Sequence, residues 1–288
     1  MRRRLAFALV LALAACKPAP PPPEVRPALW EVTGPNGARG WLFGTIHALP
    51  RRVDWRSAKL DAALAASDEL VLEIANIGDQ RALEAEFARL ARSPGLPPLT
   101  ERLPPAQRDA FERLARKHGI DPAQFREVET WAAALTLAQA LKGENKAEYG
   151  IDREILAAAE SKRIGELEGG AAQLAVFDTL PEADQRDLLS ATIAEATAPE
   201  ADEDRLARAW TTGDMALLAA ETHTGLLADP ELRAALLTGR NRAWADRLAA
   251  KLARGGKPFV AVGAAHMAGE DGLPALLAAR GYTVTRLQ

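Results

Sequence analysis

Short apolar runs, separated by stretches with helical spacing, set the outline of this chain. Leu29–Val32 and Gly40–Ile46 are predicted as two strands joined by the turn Gly34-Pro35-Asn36-Gly37, where a proline between glycines is a strong turn signal. Asp54 is predicted to cap a helix running to Ala66, with Leu60, Ala63 and Leu64 at helical spacing. Leu70-Val71-Leu72-Glu73-Ile74 reads as a third strand. Strand, helix and strand in that order favour parallel pairing through a right-handed crossover.

From Asp79 to about Ala140 the pattern is helical, broken at Ser93-Pro94-Gly95 and Leu103-Pro104-Pro105. Gly119 ends one helix and Asp121-Pro122 opens the next. Glu129–Leu141 is an apolar helix containing Trp131, and Arg153–Ser161 is another. Arg163–Glu168 is predicted as a fourth strand, closed by Gly169-Gly170. Helices follow from Ala171 to about Leu252. Pro258–Val262 is a strand, Leu273–Arg280 a helix ended by Gly281, and Tyr282–Leu287 a final strand. The expected fold is α/β, with a mostly parallel central sheet built from both chain ends and a long helical insertion in the middle, about residues 79–255. No repeat of 20–50 residues is present.

Composition adds little to the fold and more to the setting. A hydrophobic share of 48% and a charged share of 26% are ordinary for a globular chain of 288 residues. The net charge of −3, with no basic stripe, argues against nucleic acid as a partner. Residues 1–16 stand apart. Arg2-Arg3-Arg4 precedes the apolar stretch Leu5–Ala14, which is too short to span a bilayer. It ends Leu13-Ala14-Ala15-Cys16, which resembles the bacterial lipobox, where the cysteine is lipidated and becomes the N-terminus. Two or more acyl chains on Cys16 anchor a protein stably. Cys16 is the sole cysteine, so no intrachain disulfide forms. Residues 17–27 carry six prolines and read as a tether. The domain proper is expected over residues 28–288. Lys17 after Cys16 directs the expectation to the periplasmic face of the outer membrane in a bacterial cell envelope.

Two of only four histidines sit at matching places. Gly44-Thr45-Ile46-His47 closes the run Trp41-Leu42-Phe43, and Gly263-Ala264-Ala265-His266 closes Phe259-Val260-Ala261-Val262. In an open parallel sheet, ligands bind beyond the carboxyl ends of the strands. Both histidines stand there, and so does Glu73, whose carboxylate is costly to bury unless paired, hydrogen-bonded or metal-bound. Two imidazoles and a carboxylate suit a divalent cation such as Zn²⁺, Mn²⁺ or Co²⁺. A histidine at a strand end also serves as an ordinary turn or core residue. His118, beside Gly119, and His223 read as solvated. The six tryptophans read as packing residues.

Several pieces occur in order: Leu29-Trp30-Glu31-Val32, Leu42 to Pro50, Leu72-Glu73-Ile74, Tyr149-Gly150-Ile151-Asp152, Leu167-Glu168, Asn241-Arg242 and Val262 to Gly269. Together they resemble the TraB/GumN family, which is related to the Tiki proteases. The resemblance covers about residues 28–288. Met267 stands where the family pattern usually has Leu. Tiki proteins carry two Gly-x-x-His motifs and a glutamate and are described as metal-dependent proteases. Erythromycin esterases and ChaN-like haem-binding proteins are more distant relatives of the same fold.

The resemblance implies that His47 and His266 are metal or catalytic ligands, with Glu73 the third ligand or the general base. It adds Asp152, Glu168, Asn241 and Arg242 as substrate-binding candidates, Arg242 for a carboxylate or an oxyanion. Each has a plainer reading: Asp152 as a helix N-cap, Glu168 as a turn residue, Arg242 in a surface salt bridge. The expected activity is a membrane-tethered, metal-dependent hydrolase acting on a peptide or other envelope substrate. The alternatives are a metal-independent hydrolase like the esterases, and a non-catalytic lipoprotein binding haem, peptide or polysaccharide.

Overall fold

The computed structural model describes residues 25–75, 79–141, 147–159, 161–198 and 204–288. The lipobox and most of the Pro-rich segment lie outside the described residues. Six strands form one sheet: β1 Leu29–Thr33, β2 Arg39–Thr45, β3 Glu69–Leu72, β4 Arg163–Glu166, β5 Pro258–Gly263 and β6 Thr283–Arg286. Their order is β4-β3-β5-β2-β1-β6. The pairs β4–β3, β3–β5 and β5–β2 are parallel, and β1 pairs antiparallel with both β2 and β6. The turn between β1 and β2 closes at Gly37 with φ 75°, a left-handed conformation natural to glycine.

The helices are α1 Ala58–Ala66, α2 Gln80–Leu90, α3 Leu99–Arg102, α4 Pro105–His118, α5 Thr130–Ala140, α6 Ile151–Ala158, α7 Gly170–Asp178, α8 Glu182–Thr197, α9 Asp204–Thr212, α10 Met215–Glu221, α11 Pro230–Arg233, α12 Gly239–Ala253 and α13 Leu273–Ala279. The cap of α1 is Ser57, whose side chain accepts from Leu60 N–H, and not Asp54. The helix therefore starts one turn later than expected. α4 ends at Gly119 in a left-handed cap, as its sequence signals. The segment 79–255 carries most of the helices but also β4, which hydrogen-bonds to β3.

Period-two alternation sorts the strand side chains onto two buried faces. Trp41, Phe43, Leu70, Leu72, Phe259 and Ala261 pack with Leu60 and Leu64 of α1, Ile155 of α6 and Trp210 of α9. Leu42, Val71, Val260 and Val262 pack on the other face against Trp244, Leu248 and Leu252 of α12 and Leu273 and Leu277 of α13. A further core, including Phe111, Phe125, Trp131, Leu188 and Ile193, joins α4, α5 and α8. Val25 packs on the first face and Arg26 N–H donates to Thr211 O at 2.6 Å. The end of the expected tether is thus already part of the domain.

β2, β3 and β5 are central and parallel, so their carboxyl ends lie on one edge. Thr45, Glu73 and Gly263 stand there.

Candidate active site

The two Gly-x-x-His segments turn off the sheet for different reasons. A β-carbon on Gly44 would stand 3.1 Å from both Cα and Cβ of Ala264, so this glycine permits close packing of one motif on the other. Gly263 has φ −47° and ψ 136°, which any residue adopts. A β-carbon there would lie 3.4 Å from Glu73 Oε1, 3.5 Å from His47 Nε2 and 3.7 Å from His266 Cδ2. The three residues nominated from the sequence therefore surround one point, left open because residue 263 has no side chain.

His47 is the accessible member, its side chain 70% exposed. Its Nδ1 meets Asp152 Oδ2 at 2.8 Å, and Asp152 Oδ1 accepts from Thr45 Oγ1 at 2.5 Å. An ionised carboxylate only accepts, so Nδ1 carries the proton and Nε2 faces the open point. Asp152 does not cap α6; Gly150 holds that position, without a side-chain cap. Ile151 N–H donates to Ile46 O at 2.9 Å, which presses the start of α6 onto the His47 segment. Burial raises the Asp152 carboxyl, but the His47 hydrogen bond and charge and the Thr45 hydroxyl outweigh it and hold it below the usual range.

Glu73 is buried. Its Oε1 accepts from Gly263 N–H at 2.8 Å, and its Oε2 from Arg240 Nη2 at 3.0 Å and Gln173 Nε2 at 3.1 Å. Burial raises this carboxyl too. His266, His47, the Gly263 N–H and Arg240 together bring it below the usual value. Burial also pushes the His266 imidazole down to about 3, so that ring is neutral at physiological pH. The permanent charge that keeps Glu73 ionised there is consequently Arg240.

His266 Nδ1 meets Asn241 Oδ1 at 2.5 Å, and Asn241 Nδ2 donates to Asp271 O at 2.8 Å. That second bond fixes the amide, so its oxygen faces the ring and His266 carries its proton on Nδ1. The ring packs on Trp244 at 4.4 Å between centroids. Glu168 accepts from Arg240 Nε at 2.9 Å, Arg240 Nη2 at 2.9 Å and Trp244 Nε1 at 2.9 Å. Its backbone N–H and that of Gly169 both donate to Glu73 O at 3.1 Å, which brings the two acidic residues together.

Arg240 is the residue that the sequence reading missed. It bridges Glu73 and Glu168, stacks over Trp244 at 4.7 Å, and its Nη1 lies 3.4 Å from His266 Nε2. Arg242, two residues on, is 61% exposed and 3.5 Å from Asp271 Oδ1. Two positions in a helix are about 200° apart, so Arg240, Asn241 and Trp244 share the face that Arg242 leaves. The π-helical segment Ala234–Thr238 precedes them and sets that phase. His118 and His223 are exposed and distant in role.

A divalent cation fits this arrangement poorly. Among the described residues no three His, Cys, Asp or Glu side chains are grouped to hold a metal ion. The reason is visible at Arg240: its guanidinium already neutralises Glu73 and faces the Nε2 lone pair of His266.

The comparisons with known proteins come to one group. The model of the TraB/PrgY/gumN family matches residues 28–286. The uncharacterized protein YbaP of Shigella flexneri is 30% identical over 264 residues, 86% of this chain and 90% of that protein. YbaP of Escherichia coli strain K12 gives the same figures, 30% over 264 residues, with 86% and 90% covered. No solved structure matches the chain.

Proposed function

The chain belongs to the TraB/PrgY/gumN family, and from that premise we propose that it is a hydrolase of amide or ester bonds whose reaction takes place over Gly263. One observation carries the reading: His47 Nε2, Glu73 Oε1 and His266 surround a single open point, with Asp152 behind His47. His47 is the general base. Its Nε2 takes a proton from water as the water oxygen bonds to the substrate carbonyl carbon, and returns it to the amine or alcohol that leaves as the C–N or C–O bond breaks, while Asp152 holds the ring and stabilises the imidazolium in between. Base catalysis of this kind contributes about 10²–10⁴-fold. Arg240 offsets the charge of Glu73 beside the reacting point. Glu73 and Glu168 hold Arg240, and neutral His266 walls the pocket.

The family resemblance implies a divalent metal on His47, Glu73 and His266. The guanidinium of Arg240 favours the metal-free form instead, because a dication there would oppose a fixed cation. The tether belongs to the same proposal: lipidated Cys16 holds the domain at the bacterial envelope, and mass spectrometry of the mature N-terminus in wild type and Cys16→Ala checks it.

The test is hydrolysis of a panel of fluorogenic peptides and esters by the purified chain, with and without chelator, alongside elemental analysis. The expected result is turnover that survives the chelator and is lost in His47→Ala. Turnover abolished by chelator and restored by Zn²⁺, Mn²⁺ or Co²⁺ would replace this reading with the metallohydrolase. No turnover of any substrate would leave a binding lipoprotein.

A further inference from the structure

We infer that the cleft between α2 and α7 is a specificity subsite that takes a bulky apolar side chain of the substrate. This rests on the hydrolase reading and names the class of bond chosen: one flanked by a hydrophobic residue. The cleft has a volume of about 520 Å³ and is walled by Ile74, Leu83, Phe87 and Leu174. Its size is that of a small-ligand site, which spans roughly 300–1,000 Å³.

Two features say that it is a place for a ligand. The first is that large apolar side chains of its two helices keep surface uncovered, although Phe87 and Leu174 also pack on the helical core. Leu83 and Phe87 of α2 and Leu174 of α7 are only half-buried, although all are large and apolar. No residue of α2 is fully buried, and in α7 only Gly170 is. A β-carbon on Gly170 would collide with a methyl of Leu83, so the missing side chain lets Leu83 lie back against α7. Phe87 is held edge-on against Trp131 at 5.3 Å, which keeps that wall fixed.

The second feature is continuity with the reactive centre. Ile74 follows Glu73 directly in the chain. Gln173, on the cleft wall, donates to Glu73 Oε2 at 3.1 Å. The cleft thus shares Ile74 and Gln173 with the surroundings of the carboxylate that anchors Arg240. Glu84, the charged side chain of the lining, is hydrogen-bonded to Gln80 at 2.8 Å. Its charge disfavours an acidic occupant.

The test is titration of methyl-labelled protein with N-acetyl amides of phenylalanine, leucine, glycine and aspartate, followed by NMR. The phenylalanine and leucine amides are expected to shift the Ile74, Leu83 and Leu174 methyls and to bind about tenfold or more tightly than the glycine amide. Leu174→Glu and Leu83→Glu, each checked for folding by thermal melt, are expected to remove the preference. Equal response to all four amides, no response, or a preference that survives both cleft variants would overturn the subsite. Binding at these methyls in a chain that hydrolyses nothing would sink the hydrolase reading and leave the cleft as an apolar-ligand site.

Discussion

Gly150 lies so close to His47 that a β-carbon on it would collide with the His47 carbonyl oxygen. The start of α6 can approach the first Gly-x-x-His segment only because residue 150 has none. That approach brings Asp152 to the His47 ring and to Thr45 at once. Gly150→Ala is therefore expected to move Asp152 off His47. We expect a loss of about 1–3 kcal/mol of stability, as for other backbone clashes, and at least a tenfold fall in hydrolytic rate. Thermal melts and steady-state kinetics check both.

The hydrogen bond from His47 to Asp152 fixes which ring nitrogen faces the open point. Asp152→Asn keeps the shape but removes the charge. The expected outcome is a fall in kcat of about 10–100-fold or more with little change in KM, because the base is misoriented and substrate contacts are intact.

Arg240 and Arg242 should separate cleanly. Arg240→Met leaves Glu73 and Glu168 buried without their cation, and a broken buried pair costs about 3–5 kcal/mol. Arg242→Ala loses one exposed contact and should stay within about 0.5 kcal/mol. Denaturant unfolding of the two variants measures the difference.

His266 makes stability depend on pH in a window whose upper part, from about 6.5 to 5, is free of the carboxylates. Its folded pKa of about 3 lies below the ordinary 6.5, so between these values the unfolded chain binds more protons. Stability is therefore complete above about pH 6.5 and is lost as pH falls towards 3, by roughly 1.4 kcal/mol per unit. Asp152 and Glu73, both held low, add their own losses once pH falls below about 5, where these carboxyls take up protons in the unfolded chain. His266→Gln is expected to flatten the slope between pH 6.5 and 5, read from denaturant midpoints.

The central strands were legible because Trp41-Leu42-Phe43, Leu70-Val71-Leu72 and Phe259-Val260-Ala261-Val262 are short apolar runs, as central parallel strands buried on both faces must be. The convergence of His47, Glu73 and His266 was legible for a related reason: each follows such a run, and parallel strands share one carboxyl edge. The start of α1 was misread because Asp54 and Ser57 are both good caps, and only the backbone decides between them. Asp152 carried a true ambiguity, since an acidic residue in a first helical turn reads as a cap whether or not it turns to a histidine. Arg240 was hidden by its neighbours. The signal that could have found it was helix phase: Asn241, Trp244, Ala245, Leu248 and Leu252 mark the buried face, and Arg240 is four residues before Trp244 on that face. The polar grip of Glu168 on Trp244 and Arg240 joins residues more than 70 positions apart and leaves no local trace.

The open point above Gly263 is the centre of the account, and a single methyl group tests it. An alanine fits the backbone at Gly263, and its Cβ would meet Glu73, His47 and His266 at ordinary contact distances. Gly263→Ala should fold with an unchanged or slightly raised Tm, since alanine at a compatible position stabilises by about 0.4–1 kcal/mol. The decisive measurement is kcat/KM of Gly263→Ala against wild type, on a peptide or ester that the wild type turns over. A loss of at least a hundredfold with Tm preserved is the expected result. Activity within a few-fold of wild type in a folded Gly263→Ala would contradict the placement of the reaction at this point.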